Sequence, residues 1–368
     1  MSPGGSFSAV EGAPASFGRV AEPGAKPAAL TQELHHHGFL LFPGKSILPG
    51  GTGRSGSVMT AGELVDFVRS HFPQLQPQPV AAGARNTMAG PIVALGNLAA
   101  GTSDSTAATA QHSSSWAPEY TAPVTGGAPL IGASPQQVTH SLGLWLQHST
   151  EASMMEWHVD TIRIATPPSY GLLYCVQAGG SRTAFADTVA AYRSLPPGLR
   201  AQAVNAVAKY RGSISFGNSS IGIPALPRRQ IQQATYHRNL PTGEVLGLRA
   251  RLAAANRAAA EHCTLDQTVR HKLVQPHPHT GELALRLDPA SLEWVEGMPI
   301  EDGHQLVWEL LRRAAQPEHT YLHQWQEGDL LVWCQRRTMH ARVPYDASRE
   351  VRLMWRMNVE RDPADSRL

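Results

Sequence analysis

The sequence predicts β-strands with flanking helices, on the evidence of two strand-like segments and several helical ones. Between Val351 and Val359 the residues alternate as in a strand, with Val351, Leu353 and Trp355 on one face and Arg352, Met354 and Arg356 on the other. After Asp160, the β-branched residues Thr161 and Ile162 favour an extended chain. Helices are predicted over residues 60–72, 187–195, 198–210 and 301–315.

Length and composition divide the chain unevenly. The 368 residues can bury a large core, either as one decorated domain or as two. Residues 1–28 are rich in Gly, Ser, Ala and Pro and predict a disordered leader. We expect a single domain over residues 29–361 and a short tail over 362–368. Residues 98–134 are low in complexity, which predicts either a lid over a site or a disordered insert.

Charge and cysteine content narrow the functional class. The net charge is +2 and only 16% of residues are charged, which indicates neither a nucleic-acid stripe nor a polybasic membrane patch. The sequence has no apolar stretch of about 18 residues and no disulfide framework among its three cysteines. We therefore expect a cytoplasmic protein that acts on a small molecule, without nucleic-acid or membrane partners. A homo-oligomer is left open.

The motif His158-Val159-Asp160, followed much later by His340, points to metal chemistry. Two histidines and one carboxylate can hold one face of an iron(II) ion and leave the other face open for a cosubstrate and oxygen. His158 and Asp160 are two positions apart, so on a strand their side chains leave the same face. Such triplets also arise by chance in a chain with 17 histidines and 29 acidic residues, so this motif needs support from elsewhere.

Two arginines on the predicted C-terminal strand offer that support. Arg352 and Arg356 would project from one face, about 13 Å apart. Both could be solvated on an edge strand. Alternatively, one binds a cosubstrate carboxylate through its planar fork while the other binds an acidic group of the substrate.

Several stretches, in the same order along the chain, resemble the taurine dioxygenase and 2,4-dichlorophenoxyacetate dioxygenase family of iron(II)/2-oxoglutarate oxygenases. The resemblance spans about residues 31–360, and the stretches that carry it are 37–44, 157–168, 179–183, 277–281, 297–299, 325–333 and 338–340. It implies a mostly β fold with flanking helices and a double-stranded β-helix (jelly-roll) core, with 37–44 as the opening strand and 277–281 as a turn. The run His35-His36-His37 is expected at the surface or at the start of that strand.

The resemblance also implies the roles of individual residues. His158, Asp160 and His340 would be the iron ligands, and Thr183 and Arg352 would hold the far carboxylate of 2-oxoglutarate. Molecular oxygen would be the second cosubstrate, and succinate and carbon dioxide the coproducts.

A further group of residues is expected around the substrate. Arg356 would bind an anion of the substrate, with aromatic walls and an adaptable methionine pair beside it. Glu156 would either contact a substrate ammonium or form a structural salt bridge. The predicted substrate contacts are Arg356, Met154, Met155, Glu156, Phe185 and Trp333. After Trp333 the family usually reads Asp-Asn-Arg, whereas this chain has Cys334-Gln335-Arg336, which predicts altered hydrogen bonding and an intact metal site.

Three hypotheses for function follow. The first is hydroxylation of an unactivated C–H bond in a small carboxylic or amino acid. In the second, the same fold and cofactors carry out desaturation or oxidative cyclisation in secondary metabolism. The third is an inert metal-binding jelly roll that serves as a binding module.

Overall fold

The computed structural model describes residues 7–22, 24–47, 58–73, 91–96, 157–162, 164–178, 180–211, 268–288, 292–343 and 352–359. The strands are β1 Phe7–Ala9, β2 Arg19–Ala21, β3 Phe39–Phe42, β4 Val93–Gly96, β5 Tyr170–Gln177, β6 Arg182–Asp187, β7 Val207–Arg211, β8 Thr268–Lys272, β9 Val274–Pro276, β10 Leu283–Leu285, β11 Leu292–Val295, β12 Thr320–Gln324, β13 Leu330–Cys334, β14 Thr338–Val343 and β15 Leu353–Val359. The helices are α1 Pro27–His37, α2 Gly44–Ile47, α3 Ala61–His71, α4 Thr188–Ser194, α5 Pro197–Asn205 and α6 Ile300–Ala314, with a 3-10 turn at Pro317–His319. Residues 98–134, Met154, Met155, Glu156 and the tail 362–368 lie outside the described residues.

Two sheets pack face to face around the interior. The larger has the strand order β1-β2-β3-β13-β5-β15-β4, and the smaller has the order β12-β6-β14. Side chains from both sheets meet in one apolar group, which we call the inner cluster. Its members are Val10, Phe17, Phe39, Leu173, Cys175, Phe185, Tyr321, Trp325, Leu331, Trp333 and Met354.

Helices cover the outer face of each sheet. Leu34 of α1 and Leu64 of α3 pack with Trp355 on the outside of the larger sheet. On the smaller sheet, Ala191 of α4 and Leu310 of α6 belong to the cluster that contains the outward-facing side chains of β6. Strands covered on both faces must be apolar on both, which explains the continuous run of β13. None of the helices in the described part of the chain combines the length and apolar composition that crossing a membrane requires.

Several predicted elements are confirmed. Helix α3 begins at a capping box in which Thr60 Oγ1 accepts the Glu63 N–H at 3.3 Å and Glu63 Oε2 accepts the Thr60 N–H at 2.7 Å. Helices α4 and α6 lie within one residue of their predicted bounds. The alternation along β15 also holds, because Trp355 points to the outer cluster and Met354 to the inner one.

The bounds of two predicted elements need correction. The helix expected over 198–210 ends at Asn205, because Val207–Arg211 is a strand paired on both sides, with β8 and with β11. The opening strand begins only at Phe39, since His37 is the last residue of an unpredicted helix. Hydrogen bonding to neighbouring strands, invisible in the local sequence, decides such boundaries.

The prediction of a disordered leader over residues 1–28 is wrong for residues 7–22. Strand β1 pairs with β2, and β2 runs parallel to β3, so this segment extends the larger sheet. Phe17 is fully buried, and its ring meets that of Phe39 edge-on at 5.0 Å between centroids. Composition averages over the segment and therefore hides a few well-placed apolar anchors.

The histidines at the end of α1 are not all at the surface. His35 is only 6% exposed, and its Nε2 lies 2.5 Å from the hydroxyl of Tyr170. Its ring stacks on His279, with the centroids 3.9 Å apart. Three consecutive side chains do point in different directions, and for His35 that direction is inward.

The motif at 277–281 forms a turn, as expected, between β9 and β10. Nδ1 of His277 accepts the backbone N–H groups of His279 and Thr280, each at 3.3 Å. Nε2 therefore carries the proton of the neutral ring, and it lies 3.3 Å from Sγ of Cys334. Burial lowers the pKa of His277 to about 2, with neighbouring cationic groups acting in the same direction.

His277→Asn should make the protein less sensitive to acid. The native ring stays neutral down to about pH 2, whereas in the unfolded chain it takes up a proton below about pH 6.5. Its contribution to stability is therefore present at neutral pH and is lost as the pH falls through that window, by about 1.4 kcal/mol per pH unit. Asparagine offers the same turn an acceptor and does not titrate.

The measurement is urea unfolding at several pH values between 6 and 4. Per pH unit, the free energy of unfolding should fall less for the variant than for the wild type. The difference should be about 1.4 kcal/mol, the effect of one proton. Equal slopes for the two proteins would show that His277 is not neutral in the folded state.

Candidate active site

A backbone bridge joins the two halves of the proposed metal site. The N–H of His158 donates to the carbonyl of His340 at 2.9 Å, and the reverse bond measures 3.0 Å. Trp157 and Val159 point to the outer cluster of the smaller sheet. His158 and Asp160 therefore project the other way, as predicted for residues two positions apart.

The ligand atoms of the predicted triad lie close together. One nitrogen each of His158 and His340 and one oxygen of Asp160 all lie within 4.8 Å of one another. Nε2 of His158 is 3.7 Å from Oδ1 of Asp160, and the two imidazole centroids are 4.2 Å apart. It is the one group of this kind among the described residues.

The backbone after Asp160 is a turn and not the predicted strand. The N–H of Ile164 donates to the carbonyl of Thr161 at 3.1 Å, which curls the chain. Thr161 has a φ of 52°, a left-handed conformation that a β-branched residue rarely adopts. Turn hydrogen bonds thus override the β preference of the local sequence.

The protonation state of His340 suits a metal ligand. The residue is 9% exposed, and burial, followed by the nearby His158, lowers its pKa to about 3. Its ring is therefore neutral near pH 7 and has a lone pair to offer, and its buried Nδ1 has no hydrogen-bond partner. With the Asp160 carboxylate and a second imidazole, the donor set fits iron(II).

Two aromatic side chains stand beside His340, as predicted. The ring centroid of Trp333 lies 4.9 Å from that of His340, and the ring centroid of Phe185 lies 6.0 Å from it. Phe185 is the cross-strand partner of His340 between β6 and β14. Both rings are buried, so this side of His340 is lined by apolar surface.

Arg356 contacts the triad directly. Its Nη1 lies 3.5 Å from Oδ1 of Asp160. Strand β15 lies between β5 and β4, so the alternative of a solvated edge strand is wrong for Arg356. A guanidinium has five N–H donors, so the contact with Asp160 leaves others for a further anion.

The two residues expected to hold 2-oxoglutarate border the inner cluster. Thr183 is 4% exposed, and its Oγ1 accepts the indole N–H of Trp325 at 2.9 Å. Arg352 is 6% exposed and precedes β15 by one residue. Burial raises the pKa of the Cys175 thiol to about 12 while the nearby Arg352 acts to lower it, which locates this guanidinium beside the inner cluster.

Cys334 and Gln335, which differ from the usual family sequence after Trp333, are both buried. Cys334, at the position of the usual acid, lies against His277. Gln335 is 1% exposed, and neither polar atom of its side chain has a hydrogen-bond partner. The hydrogen bonding of the residues that replace the usual acid and amide is therefore altered, as expected.

Sequence reasoning missed three residues that shape the site. Arg337 bridges Asp187 at 3.1 Å and Glu282 at 3.1 Å, which anchors the start of β14. His271 Nε2 lies 3.2 Å from the carbonyl of Ile164 and so holds the turn after the triad. The third is Asn358, which the alternation of β15 would have assigned to the face of Arg356.

Comparisons with known proteins agree with this geometry. Residues 127–358 match the family described as taurine catabolism dioxygenase TauD, TfdA family. Pentalenolactone F synthase from Streptomyces arenae is 28% identical over 217 residues, which cover 58% of this chain and 64% of that protein. The (S)-phenoxypropionate/alpha-ketoglutarate-dioxygenase of Sphingobium herbicidovorans is 25% identical over 213 residues, 57% of this chain and 63% of that protein. The chain thus matches somewhat less than two thirds of the length of these curated relatives.

At the level of the fold, the likeness extends along nearly the whole chain. The crystal structure of a taurine dioxygenase from Burkholderia xenovorans superposes with a TM-score of 0.55 at 17% identity. The superposition covers 97% of this chain and 92% of that one. This likeness concerns the fold, whereas the family match over more than half of its length shows that the chain belongs to the TauD/TfdA family.

Proposed function

We propose that this protein is an iron(II)- and 2-oxoglutarate-dependent dioxygenase that hydroxylates an unactivated C–H bond of a small carboxylic or amino acid. The observation that carries the proposal is the convergence of His158, Asp160 and His340 within 4.8 Å. Family membership supports the same cofactors. Succinate and carbon dioxide are the coproducts.

The protein's own residues bind, orient and exclude water. His158, Asp160 and His340 would hold the iron, which supplies oxygen activation coupled to decarboxylation of 2-oxoglutarate. Thr183 and Arg352 would hold the far carboxylate of the cosubstrate, with Trp325 fixing the threonine hydroxyl. The aromatic walls beside His340 keep the reacting carbon away from bulk water.

Arg356 would bind the carboxylate of the substrate. Its contact with Asp160 fixes the guanidinium next to the triad, so an acid bound there lies close to the reacting centre. Met154 and Met155 would supply an apolar wall and Glu156 a partner for an ammonium group. These three roles rest on the sequence alone.

We infer that the two packed sheets form a double-stranded β-helix. The shared inner cluster and the likeness to solved structures of this family support this reading. In such a core the reactive groups lie between the sheets, where the dielectric is low and charges interact strongly.

A second candidate keeps the same cofactors and diverts the reaction to desaturation or oxidative cyclisation. The match to proteins named pentalenolactone F synthase supports a role in secondary metabolism. The outcome depends on where the substrate carbon is held, so product analysis by mass spectrometry separates the two. The third hypothesis, an inert binding module, does not explain why this site keeps both the metal triad and the two arginines.

The first test of the proposed function concerns the metal. Anaerobic protein with iron(II) and 2-oxoglutarate should show the weak visible charge-transfer band of a chelated keto acid. His158→Ala or Asp160→Ala should abolish the band, because two ligands no longer define a metal face. His36→Ala, which changes an exposed histidine, is the matched control and should keep the band. Full activity in either triad variant would refute the metal assignment.

The second test concerns the cosubstrate. Arg352→Ala should weaken 2-oxoglutarate binding by roughly 2–5 kcal/mol, because it leaves a buried carboxylate unpaired, while iron binding changes little. Arg352→Lys should restore binding only in part, since a point charge lacks the planar fork. Following the visible band while 2-oxoglutarate or iron(II) is added measures the binding of each. Arg312→Ala, which changes an exposed arginine, is the control. A cosubstrate defect in Arg356→Ala but not in Arg352→Ala would mean that the two roles are reversed.

The third test concerns the substrate. Arg356→Ala should lose roughly 1.5–3 kcal/mol of binding to a substrate acid and little to its neutral amide. The readout is substrate-stimulated succinate formation with a panel of amino and carboxylic acids and their amides. If the wild type turns over the acid and its amide equally well, Arg356 does not recognise a substrate carboxylate.

A further inference from the structure

On the inner side of the larger sheet, two buried polar atoms have no hydrogen-bond partner within the described part of the chain. They are Nε1 of Trp333, a donor, and Oδ1 of Asn358, an acceptor, and both are buried. A buried polar group without a partner is costly, so a pair of them in one place calls for an explanation.

These two side chains lie in one row across the sheet. Gly171 of β5 pairs with Trp333 on one side and with Asn358 on the other. A Cβ atom at Gly171 would lie 2.3 Å from Cζ2 of Trp333 and 2.8 Å from its Nε1. The edge of the indole that carries the N–H therefore lies over the glycine, on the side of β15.

Asn358 shares the inner face of β15 with Arg356. The residues that alternate with them, Trp355, Met357 and Val359, all belong to the outer cluster, whereas Met354 belongs to the inner one. Arg356 reaches Asp160, so this face looks towards the triad. The side chain of Asn358 is half-buried and follows Arg356 by two positions.

Other tryptophans without partners do not share this position. The indole N–H groups of Trp157 and Trp355 also lack partners, but both side chains lie in the outer clusters. Trp333 differs because its ring also packs at 4.9 Å from that of His340. Its N–H is therefore the one of the three on the reactive side of the sheet.

We propose that Trp333 and Asn358 form a subsite for a hydroxyl group of the substrate. An indole N–H can only donate and Oδ1 can only accept, and a hydroxyl satisfies both at once because it accepts through its lone pairs and donates its proton. The proposal rests on the function proposed above and refines its substrate class to hydroxylated carboxylic acids.

The spacing of the two groups sets the size of the substrate. Residues two apart on a strand are separated by roughly 7 Å. An acid held by Arg356 would thus place its hydroxyl at the Trp333–Asn358 pair when the two groups are about that far apart. A six-membered ring with groups at positions 1 and 4, or a six-carbon chain, meets this distance.

The experiment compares three acids of each skeleton. The probes are cyclohexanecarboxylic acid with its 4-hydroxy and 4-methoxy derivatives, and hexanoic acid with its 6-hydroxy and 6-methoxy derivatives. Binding to the anaerobic complex with iron(II) and 2-oxoglutarate is followed by the change in its visible band. The methoxy compounds can accept from the indole but cannot donate to Asn358, so they separate the two contacts.

In the wild type, at least one hydroxy acid should bind roughly tenfold or more tighter than its parent, with the methoxy acid in between. Asn358→Leu should remove the advantage of hydroxy over methoxy. Trp333→Phe should remove the advantage of methoxy over the parent acid. Asn205→Leu makes the same change at an exposed site on α5 and should leave the order unchanged.

A wild type in which no hydroxy acid binds tighter than its parent overturns the subsite. The same holds if both variants keep the wild-type order. The visible band of the wild type is recorded before any acid is added, so failure of the proposed function would appear there as a missing band. If the band is normal but no hydroxy acid binds tighter than its parent acid, only the subsite is refuted.

Discussion

The reciprocal hydrogen bonds between His158 and His340 are the constraint on which the site depends. They join segments that are far apart in the chain, and they fix which side chains face the space between the sheets. A slip of one residue would turn Trp157 and Val159 inward and carry His158 and Asp160 out to the apolar cluster under the helices. The packing of these two apolar neighbours therefore protects the register. In this way ordinary hydrophobic burial specifies the position of polar, reactive groups.

Burial of the larger sheet on both faces has an electrostatic consequence. Strands β5 and β13 carry almost no charge, so the few polar groups on the inner face act in a medium that screens them poorly. Arg356 brings a positive charge to Asp160, and His340 remains neutral because burial disfavours its charged form. Within the described part of the chain, the charges of Arg356 and Asp160 are thus in contact at the triad, beside a neutral His340.

The sequence predicts the residues of the metal site better than it predicts where helices and strands begin and end. The triad could be identified because its residue types and order, together with the family resemblance of the surrounding stretches, do not depend on the backbone between them. The strand at Val207–Arg211 and the turn after Asp160 could not, since both depend on hydrogen bonds to partners elsewhere in the chain. Burial of His35 was missed for a similar reason, because the side chains that cover it come from Tyr170 and His279.

The left-handed backbone of Thr161 bears on when the site forms. For a residue with a Cβ atom this conformation costs about 1–2 kcal/mol, so the unfolded chain rarely visits it. The folded turn holds it in place through the Ile164 hydrogen bond and the contact with His271 on β8. The aspartate that precedes Thr161 is thus oriented only after distant strands have assembled. A nascent or unfolded chain therefore presents no ready-made triad, and the predicted metal site forms together with the walls that surround it.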